Sequence, residues 1–345
     1  MIREINIEEL SKLKNAILVD VRSEGEYSEA TIPGALNLPL FNNIERAEVG
    51  TTYTRISPQA ARKLGLRLVS PKLPLLVENA VMLAEAGSLV IFCWRGGMRS
   101  KALASVLDVM GITVYRLLGG YKAYRAKVLA YFQTKPAYKF LVLSGNTGVG
   151  KTEFLQCLRQ KGYPVVDLEK LANNRGSVFG AVGLGSPPSQ KAFEALLYEE
   201  LKSLAGFGYI IVECESRRIG RVTLPGSIYQ ALQEGTRILL FDSISNRVQR
   251  LLREYSSVPN ALEEIKEALE RLFKMLGHAK IRELKKMLEL NELQEFTKRL
   301  LLEYYDLYYA YPNQVSPEYQ LCLNHENKAL STEQMLDFLT EWTAQ

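Results

Sequence analysis

The segment KFLVLSGNTGVGKTEFLQCLRQKG, residues 139–162, constrains the fold more than any other stretch of the chain. It sets G-x-x-x-x-G-K-T, at Gly145, Gly150, Lys151 and Thr152, between an apolar strand-like run and an amphipathic helical run. A strand, a glycine-rich loop and a helix in that order make a phosphate loop of a parallel α/β sheet. The N–H groups of Gly145, Asn146, Thr147, Gly148, Val149 and Gly150 are expected to wrap phosphates, Lys151 to neutralise them and the Thr152 hydroxyl to hold Mg2+. ATP or GTP is the default ligand, yet any diphosphate meets the same donors, so hydrolysis does not follow.

Further parallel strands are expected at YPVVDL, GYIIVE and TRILLFD. Glu213, at the end of the second of these, is the first choice for a carboxylate near the metal, with Glu215 and Asp167 competing. Between Cys214 and Arg253 seven arginines face three acids, a local excess suited to nucleic-acid phosphates. Arg217, Arg218 and Arg221, with Arg175, could equally grip a bound phosphate ligand. From about 261 to 309 apolar residues recur at helical spacing, and nine Lys/Arg against ten Asp/Glu describe an ordinary solvated face.

Upstream, AILVDVR, SLVIFC and ITVYRL read as buried strands alternating with helical patterns, a second α/β unit. A helix over roughly 120–132 runs into the polar QTKPAYK, so the expected boundary separates domains 1–134 and 135–345. Two domains also suit a length of 345 residues.

The first unit carries its own chemistry in VIFCWRGGMRSKALASVL. Cys93 ends a strand, and a helix should open at about Ser100. Loop N–H groups and a helix N-terminus favour an anion at that point. Arg95 and Arg99 add positive charge, and Gly96 and Gly97 let the backbone curl round the sulfur. Cys157, Cys214 and Cys322 lack such surroundings. Wide cysteine spacing and only two histidines argue against a disulfide framework or a histidine metal site.

This strand–cysteine–helix unit resembles the active-site loop of rhodanese domains. LVDVRSEGEYSEATIPGALNLPL, with Asp20, Arg22, Glu26, Ile32, Pro33, Gly34 and Ala35, and VYRLLGGYKAYR, with Leu118, Gly119 and Gly120, resemble that family's first and closing signatures. The likeness covers about 1–133 and implies a cysteine that carries a chalcogen. Cys93 to Arg99 reads C-x-x-x-x-x-R, one residue longer than the usual sulfurtransferase loop and equal to that of rhodanese-fold phosphatases. A wider ring of donors fits a phosphate-sized oxyanion.

The expected architecture is therefore an α/β chain with an N-terminal rhodanese-like domain, a C-terminal P-loop domain and a helical C-terminal region. CWRGGMRS, GNTGVGKT, DLEKLANNRGSVFG and ECESRRIG together are similar to the tRNA 2-selenouridine synthase family, in order and spacing, and YYDLYYAYPN is a looser likeness. Where that family has EDESR, Cys214 replaces a carboxylate.

The resemblance implies a transferase that replaces sulfur by selenium in wobble 2-thiouridine of tRNA, through an S-geranylated intermediate. Its substrates would be selenophosphate and geranyl diphosphate, with Cys93 attacking selenium and the P-loop holding the prenyl diphosphate or a nucleotide. A rhodanese-type sulfurtransferase, a phosphatase or arsenate-reductase-like enzyme, and a non-catalytic RNA-binding scaffold are the alternatives. A net charge of +5 suits an RNA partner. The absence of an apolar leader or membrane-length apolar run predicts a cytoplasmic location.

Overall fold

The computed structural model describes residues 2–256, 258–259 and 261–344, and it divides between Gln133 and Thr134 into two compact units, Glu194–Leu196 clustering with the first. Among the described residues, no helix is long and apolar enough to cross a membrane.

The first unit is built on five parallel strands, β1 (Ile2–Ile5), β2 (Ala16–Asp20), β3 (Leu36–Asn37), β4 (Ser88–Phe92) and β5 (Val114–Leu117), in the order β1-β5-β4-β2-β3. β4 is central and buried on both faces, which is why SLVIF shows no polar alternation. Its core joins Leu89 and Ile91 to Val19, Leu103, Leu107 and Val114. Three of the strands were legible as apolar runs. β1 was not, because Arg3 and Glu4 lie exposed at a sheet edge and only pairing with β5 makes the segment a strand.

The second unit repeats the plan with β6 (Lys139–Ser144), β7 (Val165–Val166), β8 (Tyr209–Glu213), β11 (Thr236–Phe241) and β12 (Leu321–Asn324), all parallel, in the order β12-β11-β6-β8-β7. A two-residue antiparallel ladder, β9 (Arg218–Ile219) with β10 (Val222–Thr223), stands apart. Leu141, Leu143, Ile211, Ile238 and Leu240 pack on Phe154, Leu155 and Leu158 of the helix that follows the phosphate loop.

The helices Ala261–Glu270, Phe273–Glu289 and Leu293–Leu300 form a separate apolar cluster, entered by Phe179 and Val182 from the loop after β7. The expected helical C-terminal region is interrupted: β12 adds an edge strand beside β11, and Met335 and Leu339 of the last helix, Lys328–Thr343, return to the sheet core. Four residues of QLCLN carry too little periodicity to announce a strand whose partner lies some eighty residues earlier.

Candidate functional site

In both units the chemistry-bearing loop leaves the carboxyl end of the central strand, where the chain order reverses and open parallel sheets bind ligands.

In the first unit Cys93 follows β4 and is buried. The helix after it opens at Met98 rather than Ser100. Ser100 instead faces the thiol: its Oγ lies 3.3 Å from Cys93 Sγ and donates to the Gly97 carbonyl at 3.1 Å. The loop is pinned from the far side by the closing segment, where Tyr121 N donates to Cys93 O at 2.9 Å and Lys122 N to Trp94 O at 2.9 Å. Gly120, at φ +56°, makes this contact possible: a Cβ there would lie 2.1 Å from Cys93 O. Arg116 donates to the Gly96 carbonyl.

The arginines of this loop differ in role. Arg99 donates to both Glu26 oxygens, at 2.6 and 3.2 Å, so the first and middle signatures meet through that pair. Burial opposes the Glu26 carboxylate, but Arg99 and the Ser23 N–H outweigh it and hold the carboxyl below its usual range. Arg95 is exposed. Arg22 is buried on Asp20 at 2.6 Å and lies 4.3 Å over the Tyr121 ring, locking β2 to the closing helix.

In the second unit the phosphate loop carries three glycines with positive φ, Gly145, Gly148 and Gly150. At Gly145 a Cβ would meet the Leu240 carbonyl at 2.2 Å, so only glycine allows the loop to pass β11. Lys151 Nζ donates to the Gly145 carbonyl at 2.7 Å, and Asn146 Nδ2 to Tyr311 O and Asn313 Oδ1, both at 2.9 Å. Val149 is buried in the sheet core. A cavity of about 950 Å³ opens over the loop, lined in part by Gly145, Lys151, Thr152, Glu169, Arg175, Glu215, Arg250 and Tyr309.

Of the three carboxylates the sequence offered, Glu215 and Asp167 line the cavity and Glu213 does not. Glu213 lies behind the cavity wall, its Oε1 accepting from Glu169 N at 2.8 Å, and its Oε2 has no hydrogen-bond partner among the described residues. Glu169 joins Glu215 and Asp167 in the lining, and the Thr152 hydroxyl donates to Glu169 Oε2 at 3.4 Å. Asp167 caps the helix Leu168–Ala172 through Lys170 N at 2.8 Å. Among the described residues, no group of three or more His, Cys, Asp or Glu is set to hold a metal. Glu169 was missed because it sits inside a short helix and reaches the loop only through the fold.

Burial, then the facing Glu215 charge, raises the Glu169 pKa to about 8 against the pull of Lys151. The folded chain therefore keeps a proton that the unfolded chain loses above about pH 4.5, and stability falls as pH rises through that window. Glu169→Gln is expected to flatten this slope, by on the order of 1 kcal/mol per pH unit. Urea unfolding at pH 6 and pH 8 measures it, and an unchanged slope would remove Glu169 from the account.

Of the seven arginines between Cys214 and Arg253, Arg247 is buried and Arg250 half-buried, while Arg217, Arg218, Arg221, Arg237 and Arg253 are exposed. Arg247 is 1% exposed, donates through Nη1 to Asp306 Oδ2 at 2.9 Å and through Nε to the Thr147 carbonyl at 2.9 Å. Arg250 pairs with Asp242 at 2.8 Å and donates to the Gly148 carbonyl. Both brace the phosphate loop, Arg247 from a buried position and Arg250 from the cavity lining. Arg175 lines the cavity while paired with Glu254 at 2.6 Å. Arg217, Arg218 and Arg221 are exposed and lie outside the cavity lining, because the segment after Glu215 turns away into the small β9–β10 ladder.

A second cavity, about 690 Å³ and apolar, lies within the helical cluster, walled by residues such as Phe179, Leu252, Ile265, Phe296 and Leu301. It shares Thr147, Ser177, Leu251 and Tyr255 with the cavity over the phosphate loop.

Comparison with known proteins accounts for both units. A family model described as a rhodanese-like domain matches residues 6–127, and one described as the tRNA 2-selenouridine synthase AAA domain matches residues 138–335. The tRNA 2-selenouridine synthase of Pseudomonas syringae pv. syringae (strain B728a) is 35% identical over 330 residues, covering 87% of this chain and 89% of that protein. Those of Pseudomonas fluorescens (strain Pf0-1) and Pseudomonas putida (strain F1) are each 34% identical, over 87% and 89% of this chain and 89% and 90% of their own. With a second-domain model matching more than half of its length and relatives aligned across both units, this chain is an enzyme of the tRNA 2-selenouridine synthase family.

Proposed function

We propose that the enzyme replaces sulfur by selenium in wobble 2-thiouridine of tRNA, in two stages served by the two units. In the first, the thiocarbonyl sulfur attacks C1 of geranyl diphosphate; a C–S bond forms, the C–O bond breaks and diphosphate leaves. In the second, selenium displaces the geranylthiol from the base.

The observation that carries this reading is the pair of adjoining cavities. One presents the phosphate loop and Lys151, the other an apolar volume of about 690 Å³, and they share Thr147, Ser177, Leu251 and Tyr255. A ligand with a diphosphate head and a ten-carbon apolar tail satisfies both at once. A nucleotide alone leaves the apolar one empty. A magnesium ion entering with the diphosphate would be held by Thr152 and, once its proton is displaced, by Glu169, since Mg2+ takes one or two carboxylates beside substrate phosphates.

Calorimetry tests the pairing. Geranyl diphosphate should bind at least a hundredfold more tightly than inorganic diphosphate, because each buried CH2 is worth about 0.8 kcal/mol. Lys151→Ala should weaken both, by roughly ten- to a hundredfold for a lost charge-assisted contact. Equal affinity for the two diphosphates would place the tail elsewhere.

For the second stage Cys93 is the nucleophile and selenium carrier, with the loop to Arg99 receiving the phosphoryl end of selenophosphate. The six-residue step from Cys93 to Arg99 and the hydroxyl of Ser100 beside the sulfur support this assignment.

A further inference from the structure

The cavity over the phosphate loop has an aromatic wall that the apolar cavity does not share. Tyr308, Tyr309 and Tyr311 line it. Two of the three are committed to the protein: Tyr309 OH donates to the Gly176 carbonyl at 3.1 Å, and Tyr311 OH to Cys214 Sγ at 3.3 Å. Their rings lie nearly parallel, 13° apart with centroids at 6.3 Å. Tyr308 differs. It is 61% exposed, yet its ring is held between neighbours, stacked on Tyr304 at 5.9 Å and 21° and edge-on to Tyr309 at 5.2 Å and 83°.

An exposed aromatic face costs free energy in water unless something covers it, and one fixed by packing has little entropy left to lose when covered. The same cavity is lined by Lys170 and Arg253, both exposed cations, in addition to the loop donors. A flat π face beside phosphate-binding groups is the combination that receives a nucleobase together with its backbone.

We infer that Tyr308 is the stacking platform for an unpaired base of the RNA substrate, with Lys170 and Arg253 taking the flanking phosphates. The inference rests on the reading of the cavity as the place where the prenyl group is transferred. The accepting base must come within bonding distance of the diphosphate-bearing carbon, and Tyr308 offers it a surface in that same cavity. Bases reach such platforms only from single-stranded loops, where they can be turned out of the stack.

The test compares Tyr308→Ala and Tyr308→Phe with wild type, measuring Kd for a tRNA bearing wobble 2-thiouridine, for ATP and for geranyl diphosphate. Alanine should weaken tRNA binding roughly 5- to 150-fold, the equivalent of about 1–3 kcal/mol per stacked base. Phenylalanine keeps the π face and should stay within about twofold. Neither should change the affinity for geranyl diphosphate. If alanine leaves tRNA binding intact, or phenylalanine loses as much as alanine, the platform is disproved. Loss of ATP affinity with tRNA affinity retained would overturn it too, giving the ring to a free nucleotide. Wild-type enzyme that binds no tRNA would sink the proposed function itself, whereas normal wild-type binding with an indifferent Tyr308 sinks this inference alone.

Discussion

Cys93→Ala is expected to abolish 2-selenouridine formation while S-geranylated tRNA still accumulates, because the substitution removes the selenium carrier and leaves the other unit's cavities untouched. The buried thiol sits with Ser100 Oγ at 3.3 Å, and the Ser100 proton is directed at the Gly97 carbonyl. Rotating that proton onto the sulfur would let one hydroxyl stabilise a thiolate, as hydrogen bonds to charged groups do.

Attack of the thiolate on selenium forms an S–Se bond and breaks the P–Se bond, whose electron pair stays on phosphorus. Phosphite is then the balanced co-product, and an external thiol must release the selenium from the cysteine after transfer. Nucleoside mass spectrometry on tRNA and 31P spectroscopy on the same reaction read the two halves. Full selenation by Cys93→Ala would end the carrier role. Phosphate as the sole phosphorus product would mean that selenium reaches the base without passing through Cys93.

Arg247→Ala is expected to cost roughly 3–5 kcal/mol of stability, the usual penalty for breaking a buried ion pair from one side. Its guanidinium is 1% exposed, engages both Asp306 oxygens and donates to the Thr147 carbonyl. Removing it leaves a partly buried carboxylate uncompensated and frees the phosphate loop at one of its corners. Urea unfolding measures the first effect and calorimetry with geranyl diphosphate the second. Arg247→Met with Asp306→Leu should recover much of the stability, since apolar replacement of a whole buried pair is often tolerated, yet should not recover ligand affinity. Recovery of both would reduce Arg247 to a packing residue.

That pair explains the tyrosine-rich segment near the C-terminus. In the sequence YYDLYYAYPN resembles a family segment without showing a task. In the fold Asp306 anchors Arg247, Tyr311 O receives Asn146, and Tyr308 and Tyr309 face the cavity. One segment thus braces the phosphate loop and furnishes its aromatic wall, which no local pattern could announce because the braced partners, Arg247 and Asn146, lie 59 and 165 residues away.

What the sequence by itself determined was local. Apolar runs fixed the central strands β4, β6, β8 and β11, since a strand buried on both faces must be continuously apolar. Glycine spacing marked both loops, because positive φ and close backbone approach admit little else at Gly96, Gly120, Gly145 and Gly150. What only the tertiary structure decided was which side chains of distant segments share one space. It set Glu213 behind the wall and Glu169 in it, spent Arg247 and Arg250 on bracing, sent Arg217, Arg218 and Arg221 outside, and set an apolar cavity against the phosphate loop. Charge and residue type are properties of one position, whereas burial and partnership are properties of the packed chain.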